Sequence, residues 1–147
     1  MIHSLPPAVQ IVLFSNPVAV REGLRQLFAM APLCHLSEDA RGTSEIVLAE
    51  ALNNIVEHAY AEAEGSIEVT LRHHAPDLWC EIADNGLPMP HGTLPAGRPH
   101  PIDGFDHLPE GGFGWFLIRT LAQDLEYRRI GDRNLLRFRL SADQGPS

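Results

Sequence analysis

A chain of 147 residues, 44% hydrophobic and 20% charged, is sized for one domain with a real core. Its net charge of -8 argues against nonspecific DNA binding or attachment to an anionic membrane, since both need a basic footprint. All eleven basic residues are arginine, which excludes a Walker A phosphate loop and Schiff-base catalysis, because each requires a lysine.

The first seven residues read as a loose end. With no basic-then-apolar leader and no apolar run near 18 residues, a cytoplasmic protein is expected. Val9 to Phe14 reads as a strand. Pro17 suits the first turn of a helix, and the spacing of Val18, Leu24, Leu27 and Phe28 carries it to about Met30, where Ala31-Pro32 ends it. Cys34 and Cys80 are too few for a disulfide framework and lack the spacing of a zinc site, so both are expected as reduced cysteines packed in a core. Ser37, followed by Glu38 and Asp39, starts a second helix expected to reach about Ala63, with Gly42 as a weak point and Gly65 as its stop.

Within that helix lies Glu50-Ala-Leu-Asn-Asn-Ile-Val-Glu-His-Ala-Tyr60. At about 100° per residue, Glu50, Asn54 and His58 line one edge, and Leu48, Ala51, Leu52, Ile55 and Ala59 share the apolar face. Two readings stand side by side. The stretch is either an ordinary amphipathic helix with polar margins, or part of a nucleotide site. In the second case an Asn oxygen serves a hard Mg²⁺ ion, and a Glu one turn away orders a water or accepts a hydroxyl proton.

Ile67, Val69 and Leu71 alternate with polar residues, as do Leu78, Cys80 and Ile82, which gives two strands joined through His73 to Asp77. The second ends in Asp84-Asn85-Gly86. This tripeptide is a good turn signal. It is equally a place where a carboxylate can accept from an exocyclic amine such as adenine N6, while Gly86 lets the backbone approach the base.

From Leu87 to Glu110 prolines and glycines interleave, which forbids a helix or a central strand and suggests a mobile lid. Arg98 is its one cationic side chain apart from histidines, hence the candidate for a terminal phosphate. Gly111-Gly-Phe-Gly114 then precedes a helix from Trp115 to Gln123, either as a plain hinge or as a cradle whose free N–H groups face a phosphate. Trp115 and Phe113 are expected in the core. Leu125 to Ile130 and Leu135 to Leu140 form a hairpin through Gly131-Asp-Arg-Asn134, and its five arginines suit a solvated sheet face better than a nucleic-acid surface.

These three signals in this order resemble the Bergerat-fold ATPases of the GHKL superfamily. The closer resemblance is to the RsbW-type anti-sigma factor serine kinases, through Glu50 to Tyr60, Glu110-Gly-Gly-Phe-Gly-Trp-Phe-Leu-Ile-Arg119 and Asp124-Leu-Glu-Tyr-Arg128. The resemblance spans about Val9 to Leu140. It implies one HATPase_c-like ATP-binding domain, an α/β two-layer sandwich with helices on one face of a mixed, mainly antiparallel sheet and a lid over about 87–110. By the same resemblance Asn54 holds Mg²⁺, Glu50 acts as general base toward a serine hydroxyl or water, and Asp84 reads adenine. Gly86 passes under the base, and Gly112 and Gly114 bind the phosphates of ATP. Its implied partners are a sigma factor and a STAS-type anti-anti-sigma protein, phosphorylated on serine, and homodimers are usual. Two departures stand out: Leu87-Pro88 follows Asp84-Asn-Gly86 where the superfamily often has a further glycine, and the phosphate-binding lysine of some relatives is absent. Two other readings are a nucleotide-gated partner-binding module without catalysis and a detached histidine-kinase catalytic domain. The second is weakened because no separate helical hairpin is left to carry a phosphoacceptor histidine.

Overall fold

A computed structural model of the protein describes residues 8–96 and 112–143. Strand β1 (Ala8–Phe14) leads into α1 (Pro17–Phe28), which Asn16 caps by accepting the Ala19 N–H at 2.8 Å. Ser37 caps α2 (Glu38–Asn54) in the same way through the Ala40 N–H at 3.1 Å. The rest of the described chain is β2 (Ser66–His74), β3 (Asp77–Asp84), α3 (Gly112–Leu121), β4 (Gln123–Ile130) and β5 (Arg133–Ser141).

The five strands form one sheet in the order β1-β2-β3-β5-β4, and every pairing is antiparallel. Period-2 patterning decides which face is covered. Ile67, Val69 and Leu71 share one face of β2, with Val69 and Leu71 opposite Ile82 and Cys80, and Ile82, Cys80 and Leu78 stand opposite Leu136, Phe138 and Leu140. All are buried against Val20, Leu27 and Phe28 of α1, Val47, Leu48 and Leu52 of α2, and Ile118 of α3. Each aliphatic side chain so removed from water contributes about 1.5–3 kcal/mol. This is the expected two-layer sandwich, with a sheet that is wholly antiparallel among the described strands rather than mixed.

The opposite sheet face is ionic. Arg133 pairs with Glu68, Arg139 with Asp77 and Asp124 at 2.9 and 2.8 Å, and the Arg137 guanidinium lies 4.6 Å from the Trp79 ring centre. The arginines of the last hairpin are thus largely occupied within the sheet. Helix α2 runs through Gly42 without a break. Strand β5 begins at Arg133, so the turn is only Gly131-Asp132, with Gly131 at φ +61. The cysteines differ from each other: Cys80 is fully buried, which pushes its thiol pKa up, whereas Cys34 is exposed on a short turn after α1 and is not a core residue. Among the described residues no helix is long and apolar enough to cross a membrane.

Candidate nucleotide site

Helix α2 does not continue to Ala63. After Asn54 it widens into a π turn (Ile55–Ala59), closed by the Tyr60 N–H donating to the Ile55 carbonyl five residues back at 3.0 Å. The competing interactions are visible. The Ala59 carbonyl accepts from Leu87 N–H at 2.7 Å. The Tyr60 hydroxyl donates to the Ser66 carbonyl at 2.6 Å and accepts from Asn85 N–H at 2.8 Å. The helix end is therefore fastened to the turn that follows β3. His58, expected on the edge of Glu50 and Asn54, lines the cavity described next, yet its side chain is mostly exposed.

Between this helix end, the end of β3 and the start of β5 is a cavity of about 230 Å³, lined by Asn54, Asp84, Met89, Trp115, Tyr127 and Asn134 among others. A wider polar groove of about 500 Å³ lies at the far end of the sheet around Ser37, Asp77, Gln123 and Arg139. The smaller cavity is the better candidate because of Asn54. That residue is only 6% exposed, and its Nδ2 is one of two buried side-chain atoms without a hydrogen-bond partner among the described residues; the other is Ser44 Oγ. An amide buried without a partner costs about 1–3 kcal/mol, so one facing a cavity points to a ligand.

Asp84 is the second polar group of the cavity and is 4% exposed. Its Oδ1 accepts from Asn134 Nδ2 at 2.8 Å and from Gly86 N–H at 2.9 Å. Burial raises its pKa above the ordinary carboxylate value, and these two donors, with the charges of Arg129 and Arg133, act in the opposite direction. A carboxylate held this way is a fixed acceptor for an amine.

Glu50 and Asn54 meet α3 at Gly114, where an added Cβ would lie 2.6 Å from Glu50 Oε2 and 3.4 Å from Asn54 Nδ2. The expected loop-then-helix boundary differs slightly. Gly112-Phe-Gly114 forms the first turn of α3, which ends at Leu121 rather than Gln123. The N–H groups of that turn have no intrahelical acceptor. Gly86 does not itself line this cavity, and its close backbone approach is to Ala59, whose carbonyl oxygen would stand 2.3 Å from an added Cβ. Arg98, Gly111 and residues 97–110 of the expected lid lie outside the described residues.

Sequence reasoning missed Asn134, Tyr127 and Arg129. Asn134, expected in the hairpin turn, is buried in β5 directly opposite Asp84. The signal was present, because stepping back by two from Phe138 and Leu136 lands on Asn134, on the same inward face. Arg129, expected on a solvated face, donates to the Gly86 carbonyl at 2.7 Å.

Both the Asn54 carboxamide and the Glu50 carboxylate are oxygen donors of the kind a hard divalent cation accepts. The two ends of a carboxamide are alike in shape, so the orphan position can present either its oxygen or its nitrogen. The residues present therefore fit a Mg²⁺ ion that keeps most of its own waters.

A protein-family model described as the histidine kinase-like ATPase domain matches residues 14–140. The chain is 38% identical over 84 residues to the serine-protein kinase RsbW of Bacillus mycoides (strain KBAB4), covering 56% of this chain and 52% of that protein. It is 37% identical over 85 residues to the proteins of the same name from Bacillus cereus (strain AH187) and Bacillus anthracis (strain A0248). In each case the chain spans about half the length of the relative it matches, 52% of that protein.

Proposed function

The chain belongs to the histidine kinase-like ATPase domain family, and on that premise we propose that it is an ATP-binding anti-sigma regulatory serine kinase. The observation that carries this reading is that one cavity unites a buried Asn54 amide nitrogen, without a partner among the described residues, with a buried, hydrogen-bonded Asp84. At about 230 Å³ it falls below the roughly 300–1,000 Å³ of pockets for drug-sized ligands, which suits a base with its phosphates lying outside, toward Gly114.

In this reading Asp84 accepts a hydrogen bond from the exocyclic amine of adenine. The α3 N-terminus at Gly112 and Gly114 offers N–H groups and the positive end of a helix dipole to the phosphates. Asn54 would hold the metal. Bound Mg²⁺ would offset charge on the transferring phosphoryl group. Glu50, held against Gly114, would take the proton from a partner's serine hydroxyl. Arg98 would reach the terminal phosphate, and the backbone at Gly86 would shape the base-binding wall from behind. The partners would be a sigma factor and a STAS-type anti-anti-sigma protein, the protein would act as a homodimer, and its compartment would be the cytoplasm. The support for these is the resemblance of Glu50 to Tyr60 and of the Gly112-Phe-Gly114 helix to the RsbW-type kinases.

Calorimetry with Mg²⁺ and ATP, followed by Glu50→Ala, tests the proposal. The expected result is micromolar-range binding in both proteins, with transfer to serine lost only in the variant. No heat of binding to folded protein would overturn the nucleotide reading. Binding with partner control unaltered by Glu50→Ala would leave a nucleotide-gated module without catalysis.

A further inference from the structure

The side chain of Asn134 is saturated with hydrogen bonds in one orientation. Its Nδ2 donates to Asp84 Oδ1 and to the Leu87 carbonyl, both at 2.8 Å, with the Gly86 carbonyl a weaker third acceptor at 3.4 Å. Its Oδ1 accepts from the Tyr127 hydroxyl at 2.6 Å and from Arg129 at 3.1 Å. Rotating the amide by half a turn would set its oxygen against a carboxylate and a carbonyl, and its NH₂ against a guanidinium. Chemistry therefore fixes this amide more firmly than shape does.

The same node holds the chain that leaves β3. Carbonyls 86 and 87 are both tied to it, and Tyr127, while donating to Asn134, accepts the Met89 N–H at 2.9 Å. Leu87 and Met89 line the cavity with Asp84. One side chain thus connects the carboxylate proposed to read the base with the wall that the base would rest on.

We propose that Asn134 is a positioning residue for base selection: it turns Asp84 so that its remaining acceptor capacity faces the cavity, and it ties that orientation to residues 86–89. This rests on the nucleotide reading above and extends it, because selectivity for a purine carrying an exocyclic amine then depends on a residue that need not touch the base. With Oδ1 already taking two donors, the carboxylate meets the ligand in one orientation only. Without Asn134 it can rotate, and amine recognition is lost while stacking and phosphate contacts remain.

The test compares ATP with purine riboside triphosphate, which lacks the amine, by calorimetry with Mg²⁺. The native protein is expected to prefer ATP by about tenfold or more, the size of a hydrogen bond to a charged group. Asn134→Ala is expected to bring that preference to within about threefold, chiefly through weaker ATP binding, because the amine contact then no longer discriminates. Tyr127→Phe, a milder change should Asn134→Ala fold poorly, is expected to lower the preference partially and to speed amide exchange at Met89 in the ATP-bound state. A preference unchanged in folded Asn134→Ala, or in Tyr127→Phe where the former does not fold, overturns the role of Asn134 while leaving ATP binding in place. Absence of ATP binding by the native protein overturns the nucleotide reading and this inference together.

Discussion

Glu50 and Gly114 touch: the carboxylate of one occupies the space where any side chain on the other would begin, with Oε2 only 2.6 Å from the ideal Cβ position. A carboxylate proposed as general base that rests against bare backbone is sensitive to the smallest possible substitution there. The obstacle is the tip of a flexible side chain, so the fold can yield, while the position of Glu50 cannot be kept.

Gly114→Ala should therefore separate stability from activity. Alanine is favoured over glycine in a helix by about 0.8–1 kcal/mol, which offsets the displacement of Glu50 in the unfolding equilibrium. Thermal unfolding should move little. Phosphoryl transfer should fall at least about tenfold, since an ångström-scale misplacement can cost about a hundredfold. Equal transfer rates in the two proteins would detach Gly114 from the site.

Asp84→Asn should weaken ATP binding by about 1.5–3 kcal/mol, the range for hydrogen bonds to charged groups. The raised pKa of Asp84 gives this prediction a pH signature. As pH falls through that raised value the carboxylate gains a proton, so ATP affinity should drop at a higher pH than an ordinary Asp would allow. The variant should lack this inflection in a calorimetric pH series.

The same group acts on folding with the opposite sign. A carboxyl that binds its proton more tightly when folded contributes stability below its unfolded pKa, and that contribution is lost as pH rises through the folded value. At neutral pH Asp84 is therefore a burden on the ligand-free protein. Asp84→Asn should unfold at an equal or higher temperature than the native chain at pH 7, and a markedly lower midpoint would contradict the buried-charge account.

Gly86→Ala meets backbone instead of a flexible tip, because Ala59 O and C would lie 2.3 and 2.6 Å from the new methyl group. Neither can move without breaking the bond from Leu87 N–H to Ala59 O. The expected loss is about 2–4 kcal/mol in chemical denaturation, at the upper end for overpacking. A midpoint within error of the native protein would show that this contact is loose.

Tyr60→Phe removes a hydroxyl that bridges the helix end to both Ser66 and Asn85. Both bonds are exposed to solvent, so the joint cost should be only about 1–2 kcal/mol. Hydrogen exchange at the Asn85 amide should accelerate in the variant, and unchanged protection there would remove Tyr60 from the support of the site.

Strands and helices were legible because their patterns are local. Alternation placed β2, β3 and β5, and Pro17 and Ser37 placed the starts of α1 and α2. Glu50, Asn54 and Asp84 could be nominated because the chemistry of nucleotides asks for such side chains on a helix and at a strand end, and Gly114 because bare backbone at a helix start leaves N–H groups free for an anion. The break after Asn54 was invisible, since nothing in Ile55 to Ala59 announces that Leu87 and Tyr60 will compete for that turn. Asn134 was hidden for a related reason: a buried asparagine next to Gly-Asp looks like loop chemistry until its partner, fifty residues away, is placed opposite it.

The sheet order has one consequence for how this molecule comes into being. Strand β5 emerges last yet lies inside the sheet, between β3 and β4. A nascent polypeptide leaving the ribosome must therefore hold β3 with an unguarded margin until the final hairpin arrives. Only then does Asp84 gain its amide partner, so half-made copies would lack the completed cavity on which the proposed function depends.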